Sequence, residues 1–320
     1  MMNSDLSIEH INRVLREYDI GQFVSLEELS PGYANRSFKL ETESGPYLFR
    51  WVLEKGLEDL KLELDLLEHL RGFEFKTSYP IAKGDGSFFT ELAPGYAVIY
   101  DFITGVHPAL SAEAARQIGS CVGQLSNIAP PVNFSRSNTI NIDTCLELAE
   151  ILQSAPVKLP DIYKYFTSVS AVFNERLTAD LPQGLIHADV FPDNTIFQGN
   201  ALRAIIDLEE ACTDTLLFDL AMAINGFCFP NNELSYSFLE SFLNGYLEHR
   251  LLSPEEWEAL PTYIAWTAHG MLSWHLERLS QNHMERQEAR VRELMTRVVD
   301  ILNREESVSQ NICVIRETFK

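Results

Sequence analysis

The chain has 320 residues, 46% of them hydrophobic, enough to bury a sizeable core in one two-lobed domain or two small ones. Its 25 Lys and Arg against 46 Asp and Glu leave a net charge of −21, which argues against nucleic acid or an anionic membrane as the main partner. An acidic protein that is to hold a polyanion needs locally placed cations. No apolar run is long enough to span a bilayer, and the start Met-Met-Asn-Ser-Asp lacks the basic flank and apolar stretch of a secretory signal. Five cysteines without a C-x-x-C pair (Cys121, Cys145, Cys212, Cys228, Cys313) predict reduced core thiols in a cytoplasm rather than a disulfide or zinc framework.

In chain order, Ser4 to Tyr18 carries Ile8, Ile11, Val14 and Leu15 at helical spacing behind a Ser/Asp start, an amphipathic helix. Strands are predicted over Leu26 to Ser30, Arg36 to Thr42 and Tyr47 to Leu53. The turn between the first two, Pro31-Gly32-Tyr33-Ala34-Asn35, reads by itself as an ordinary hairpin. Leu57 to Leu70 is a strong helix with Leu60, Leu64 and Leu67 on one face. Phe88 to Thr90 and Tyr96 to Tyr100 are two more strands around Ala93-Pro94-Gly95.

The pattern turns helical past Gly105, over 111–128, 143–153 and 161–179, then 233–249, 253–279 and 284–304. The Ser-Pro-Glu-Glu at Ser253 supplies a strong N-terminal cap. Short strands are expected at Thr195 to Phe197 and Ala204 to Ile206 around Gly199-Asn200. The division predicted is an N-terminal lobe over 1–102, a helical C-terminal lobe over 103–305, and a mobile tail over 306–320, where no periodicity is evident.

The chemistry concentrates in Gly184-Leu-Ile-His187-Ala-Asp189-Val-Phe-Pro-Asp193-Asn194-Thr-Ile-Phe, followed by Ile205-Ile206-Asp207. A carboxylate at Asp189, a carboxamide five residues on and a second carboxylate after an apolar run are what phosphoryl transfer needs. One Asp can orient a substrate hydroxyl and accept its proton, while Asn194 and Asp207 offer hard oxygen ligands for a magnesium ion that bridges ATP phosphates. Asp193 reads as solvated or turn-forming.

His-x-Asp-x-x-x-x-Asn followed by apolar-apolar-Asp resembles the catalytic and metal-binding loops of the aminoglycoside phosphotransferase and choline kinase-like superfamily. Within it, Ile-His-Ala-Asp-Val-Phe-Pro-Asp-Asn and the later Ala-Cys-Thr-Asp-Thr-Leu-Leu-Phe-Asp-Leu-Ala are most similar to homoserine kinases of the non-GHMP type. The resemblance runs from about Val14 to Leu279. It implies an α+β, bilobal protein-kinase-like fold, with a small antiparallel sheet in front, a larger helical lobe behind, and ATP and magnesium in the cleft.

It further implies that the turn holding Gly32 and Asn35 folds over the nucleotide phosphates, and that Arg50 takes the place of the strand lysine or arginine aimed at them. Glu63 would pair with that base, while the backbone of Tyr100, Asp101 and Phe102 would meet the adenine edge. His187 would brace the catalytic loop, and Asp219 would tie its backbone to the following helix.

Glu209 and Glu210 follow Asp207 directly, where homoserine kinases favour aromatic residues. One of these acids would hold a substrate ammonium group or assist the metal, or both belong to a loop that faces water. Trp274, on the long helix with Trp266, His269 and His275, would shape the acceptor pocket or pack in the core. The implied function is ATP- and magnesium-dependent phosphorylation of a small molecule's hydroxyl, with homoserine the leading acceptor. The alternatives are another amino alcohol, amino sugar or aminoglycoside, or a catalytically silent nucleotide-binding relative. The partner expected is a small, amine-bearing acceptor, with no nucleic acid and no membrane.

Overall fold

The structure, a computed structural model, describes residues 6–31, 35–154, 159–177, 180–281 and 285–319. The chain divides into two compact units. The first comprises Met1–Val106, Ile196–Gln198 and Arg203–Glu209, the second His107–Thr195, Gly199–Leu202 and Glu210–Lys320. The first unit therefore extends past residue 102, and the stretch holding Asp207 and Glu209, read from sequence as part of the C-terminal lobe, clusters with the N-terminal strands.

The first unit opens with α1 (Ile8–Leu15), shorter than the helix predicted because Ser7 caps it: the Ser7 hydroxyl accepts from the His10 N–H, and the His10 ring accepts from the Ser7 N–H. β1 (Phe23–Pro31), β2 (Asn35–Thr42), β3 (Gly45–Val52), β4 (Phe89–Glu91) and β5 (Tyr96–Asp101) form an antiparallel sheet in the order β1-β2-β3-β5-β4. Strand side chains alternate, so register decides what each face carries. Phe38 lies opposite Phe49, and Phe49 opposite Ile99; with Leu40, Trp51 and Ala97 they make the core that Ile11, Val14 and Leu15 of α1 help to bury. The other face carries Ser37 opposite Arg50 and Leu48 opposite Tyr100. There α2 (Leu57–Arg71) brings Glu63 to Arg50.

In the second unit, α3 (Ala112–Leu125), α4 (Ile142–Ser154) and α5 (Pro160–Arg176) precede β6 (Gln183–Ile186). β7 (Thr195–Gln198) and β8 (Ala201–Ile205) form a hairpin at the place expected, the second strand starting earlier than Ala204 and most of both strands belonging to the first unit, while β6 pairs antiparallel with β9 (Cys212–Thr215), a pairing the sequence does not announce. Then come α6 (Leu216–Phe227), α7 (Tyr236–Leu247), α8 (Pro254–Gln281), α9 (Glu285–Asn303) and α10 (Glu305–Glu317).

The last of these corrects the expected tail. Val308, Ile312 and Ile315 fall four and three residues apart, and all three are buried, so a helical stripe anchors the segment. Of the cysteines, Cys121, Cys145, Cys212 and Cys228 are buried free thiols, but Cys313 on α10 is exposed. Burial pushes the Cys145 thiol up to about 11. Among the described residues no helix is long and apolar enough to cross a membrane.

Glycines let α3 and α7 touch backbone to backbone. A Cβ on Gly245 would lie 1.9 Å from the Arg116 carbonyl oxygen, and one on Gly119 would lie 2.0 Å from that of Phe242. Backbone cannot swing aside as a side chain can, so Gly245→Ala must push the helices apart. A loss of about 3 kcal/mol is expected, read as a melting midpoint about 4–5 °C lower. An unchanged midpoint would show that the crossing has slack.

Candidate active site

In the second unit, the stretch from β6 to β7 is built around a buried carboxylate. Asp219 stands in the first turn of α6, where an acid suits the helix N-terminus. Its Oδ2 accepts from the His187 N–H at 3.1 Å and its Oδ1 from the Ala188 N–H at 2.8 Å. Burial holds the Asp219 pKa above the ordinary carboxylate range, against the opposing pull of His187 and the two backbone N–H groups. The grip has a backbone consequence: Ala188 is held at φ +68°, a left-handed conformation that is costly for a residue with a Cβ.

His187, fully buried, accepts the Asp189 N–H at its Nδ1 over 3.3 Å. The Asp189 side chain is half-buried. A 3₁₀ turn at Pro192–Asn194 then brings the carboxamide back, and Asn194 Nδ2 donates to Asp189 Oδ2 at 2.6 Å and to the Asp189 carbonyl at 2.9 Å. Both bonds use the amide nitrogen, which presents Oδ1, the hard donor atom, for other use. Asp193, in the same turn, is exposed.

The second cluster lies within the first unit. Arg50 Nη2 donates to Asp207 Oδ1 and to Glu209 Oε2, each at 3.0 Å, and its Nη1 stands 3.6 Å from Glu63 Oε1. Burial alone would lower the Arg50 pKa, but Asp207, Glu63 and Glu209 outweigh it and hold it well above the ordinary value. Asp207 itself sits at φ +67°.

Glu209 is no water-facing loop acid. Its Oε2 receives Arg50, Asn35 Nδ2 at 3.0 Å and Lys55 Nζ at 3.4 Å. Lys55, which also makes a short bond to Glu63 Oε2, was not singled out from the sequence. The signal was available: it is the one lysine between Lys39 and the start of α2, two residues ahead of the helix that carries Glu63.

The remaining expectations fall unevenly. Gly32 lies outside the described residues. The Tyr100 side chain is buried among the charges of the Arg50 cluster, and burial raises its pKa with Glu63 adding to the effect. Asp101 was expected to turn its backbone to adenine. Its N–H instead donates to the Tyr79 carbonyl at 2.9 Å, and its C=O accepts from Ser78 Oγ at 2.6 Å, because the segment before β4 bonds along β5. Phe102 follows the end of that strand, under Lys39 Nζ at 5.4 Å.

In the second unit, Glu210 is exposed. Trp274 is exposed too, with the Arg278 guanidinium 4.0 Å from its ring centroid. His269 is buried against Phe166 and Phe173 and bonded to Ser170, and burial lowers its pKa to about 3, so it is a neutral core residue.

Among the described residues no three His, Cys, Asp or Glu side chains gather as a metal site. Magnesium takes one or two protein oxygens and completes its shell with water and substrate phosphate. Asn194 and Asp207 have the right donor chemistry. Of the four buried polar atoms of the first unit without a partner among the described residues, one is Thr77 Oγ1 and the other three, Asn35 Oδ1, Arg50 Nε and Tyr100 Oη, belong to the Arg50 cluster. Orphans of this kind mark a place shaped for a polar ligand or water.

Solved structures with the same fold include a spectinomycin phosphotransferase in complex with ADP and spectinomycin, 16% identical with a TM-score of 0.71, covering 93% of this chain and 99% of that one. A choline kinase from Cryptosporidium parvum is 16% identical with a TM-score of 0.65, covering 96% and 98%. The fold is thus that of small-molecule kinases. The chain belongs to the phosphotransferase enzyme family (APH), whose sequence model matches residues 25–263. It is similar to the homoserine kinase of Brucella anthropi, 31% identical over 265 residues, 81% of this chain and 80% of the relative. It is likewise similar to that of Gluconobacter oxydans, 31% identical over 269 residues, 81% and 84%. The protein is a small-molecule kinase that transfers phosphate to a hydroxyl group.

Proposed function

We propose that the protein phosphorylates the hydroxyl of a small amine-bearing acceptor, L-homoserine first, with magnesium-ATP as donor and in the cytoplasm. The observation that carries the reading is the Asp189–Asn194 pair, a carboxylate and a carboxamide joined at 2.6 Å in a loop fastened by Asp219. Asp189 orients the acceptor hydroxyl and takes its proton as the bond to phosphorus forms. Asn194, through Oδ1, and Asp207 are the residues that would hold magnesium, which supplies charge neutralisation on the phosphate oxygens. The cluster around Arg50, Glu63 and Asn35 serves the phosphates, and Phe102, just past the bonded end of β5, takes the adenine edge in place of Asp101.

A coupled ADP-release assay with magnesium-ATP tests this against L-homoserine, choline, ethanolamine, amino sugars and aminoglycosides. Turnover with homoserine well above the others is expected. Turnover confined to another amine would refute homoserine but leave the site reading intact. ATP binding without turnover on any acceptor would favour a silent relative.

A further inference from the structure

Arg297 on α9 is the one arginine or lysine buried among the described residues of the second unit, 4% exposed. Its hydrogen bonds go to neutral oxygens. Nε donates to Asn232 Oδ1 at 2.7 Å, and Nη1 donates to the Asn225 carbonyl at 2.8 Å and to Asn225 Oδ1 at 3.0 Å. The Phe229 ring centroid lies 4.3 Å from the guanidinium carbon. Two asparagines and a ring thus fix the plane of the group.

Nη2 is placed differently. Among the described residues the acid closest to it is Glu293, whose Oε1 stands 3.7 Å away, beyond hydrogen-bond distance, while the other oxygen of that carboxylate is held by Arg290 at 2.8 Å. The two N–H donors on Nη2 are therefore without a hydrogen bond among the described residues. Arg250 in the same unit shows the contrast, since its Nη2 donates to both oxygens of Glu256 at 2.7 and 2.9 Å. Burial, with Arg290 adding to it, lowers the Arg297 pKa to about 10 against the weaker pull of Glu293. Neutral amide oxygens satisfy a guanidinium's hydrogens but not its charge, and a buried charge is destabilising until an anion joins it.

Part of what Arg297 does is to cap a helix. The Asn225 carbonyl is in the last turn of α6, where a cation suits the C-terminus. That role uses Nη1 and leaves Nη2 unexplained.

The end of α6 also touches the loop that carries Asp189. A Cβ on Gly226, the residue after Asn225, would lie 2.7 Å from the Val190 carbonyl oxygen and 3.1 Å from the Phe191 ring. The residue after Asp189 is thus in close backbone contact with the helix end to which Arg297 is bonded. Homoserine has its hydroxyl and its carboxylate at opposite ends of a short chain. With the hydroxyl at Asp189, like charge keeps the carboxylate away from the transferred phosphate, and it calls for a cation that no acid has engaged. Arg297 answers that description.

We propose that Arg297, through Nη2, binds the carboxylate of the acceptor, so that the substrate class is a hydroxy acid of the homoserine kind rather than an amino sugar or a simple amino alcohol. This rests on the phosphotransfer reading of Asp189 above and adds to it a residue that selects the acceptor.

The test is ADP release by the full-length protein with magnesium-ATP on L-homoserine and on 3-aminopropanol, which is homoserine without its carboxylate. Wild-type protein should prefer homoserine. Arg297→Gln should lower kcat/KM on homoserine about 10- to 100-fold, as loss of a charge-assisted hydrogen bond does, and change it on 3-aminopropanol by less than about threefold. Most of the preference would then be gone.

A fall of the same size on both acceptors would mean an arginine that only caps α6, and would overturn the proposal. So would an Arg297→Gln protein that keeps the preference, or a wild-type protein that turns over homoserine without preferring it. If Arg297→Gln fails to fold, wild-type protein decides with L-homoserine amide, whose neutral carboxamide should lower kcat/KM at least about 10-fold. Equal use of the amide and the acid would overturn the proposal. All these outcomes leave homoserine phosphorylation standing, whereas wild-type protein that turns over no homoserine would remove that reading and this proposal together.

Discussion

Asp189→Asn is expected to lower kcat by about 10²- to 10⁴-fold, the range for removing a positioned proton acceptor, while ADP affinity and the melting midpoint stay at wild-type values. The substitution nearly conserves shape. The new side chain keeps an oxygen that can accept from Asn194 Nδ2, the bond that at 2.6 Å now ties the two side chains together. Asp189 N–H goes on donating to His187 Nδ1, so the loop keeps its internal bracing. What is lost is the negative charge and with it the ability to draw the acceptor hydroxyl into line and take its proton.

Asp189→Ala is a harsher variant, because it also leaves the Asn194 amide with only the Asp189-position carbonyl to donate to. The comparison therefore separates chemistry from architecture. A kcat for Asp189→Asn within about threefold of wild type, less than the smallest effect expected of a lost general base, would show that positioning by the rest of the loop suffices and would move the catalytic assignment off this residue.

Much of the first unit was legible because a half-buried sheet writes its register into alternation. Phe38, Leu40, Phe49 and Trp51 recur at every second residue, and all are buried on the face that α1 covers. The loop proposed to handle phosphate was legible for a different reason: His187, Asp189 and Asn194 lie within eight residues of one another, so their spacing carries the geometry, while Asp219, whose bonds to the loop span 31 and 32 residues, was legible only through the family resemblance. β6 and β9 were not legible, since two four-residue strands joined across the whole catalytic stretch have no turn signal between them. Lys55 and Glu209 were missed or misread because they meet across 154 positions of sequence, and nothing local records that contact. The hydrogen bonds of the Asp101 backbone to Ser78 and Tyr79, more than twenty residues earlier, were not legible on the same ground.

The largest loss of stability is expected from Asp219→Ala, together with loss of turnover. Asp219 is buried, and its two oxygens are the partners of the His187 and Ala188 N–H groups at 3.1 and 2.8 Å. Truncation leaves both donors buried without an acceptor, at about 1–3 kcal/mol each. It also removes the restraint that keeps Ala188 at φ +68°, where an alanine gains by relaxing toward ordinary backbone angles. Relaxation there rotates the next residue, Asp189, so the carboxylate proposed as catalytic moves without having been touched.

Asp219→Asn separates the two effects. Its one carbonyl oxygen can accept from only one of the two donors, but it has no charge to bury, and burial is what holds the Asp219 pKa up. Urea unfolding should then show roughly half the loss seen for alanine, with turnover still depressed because the loop is held at one point rather than two. An Asp219→Ala protein with wild-type unfolding midpoint and wild-type kcat would mean that solvent fills the vacated place and that the loop holds its shape unaided, and the account of Asp219 as the fastening of the catalytic loop would fall.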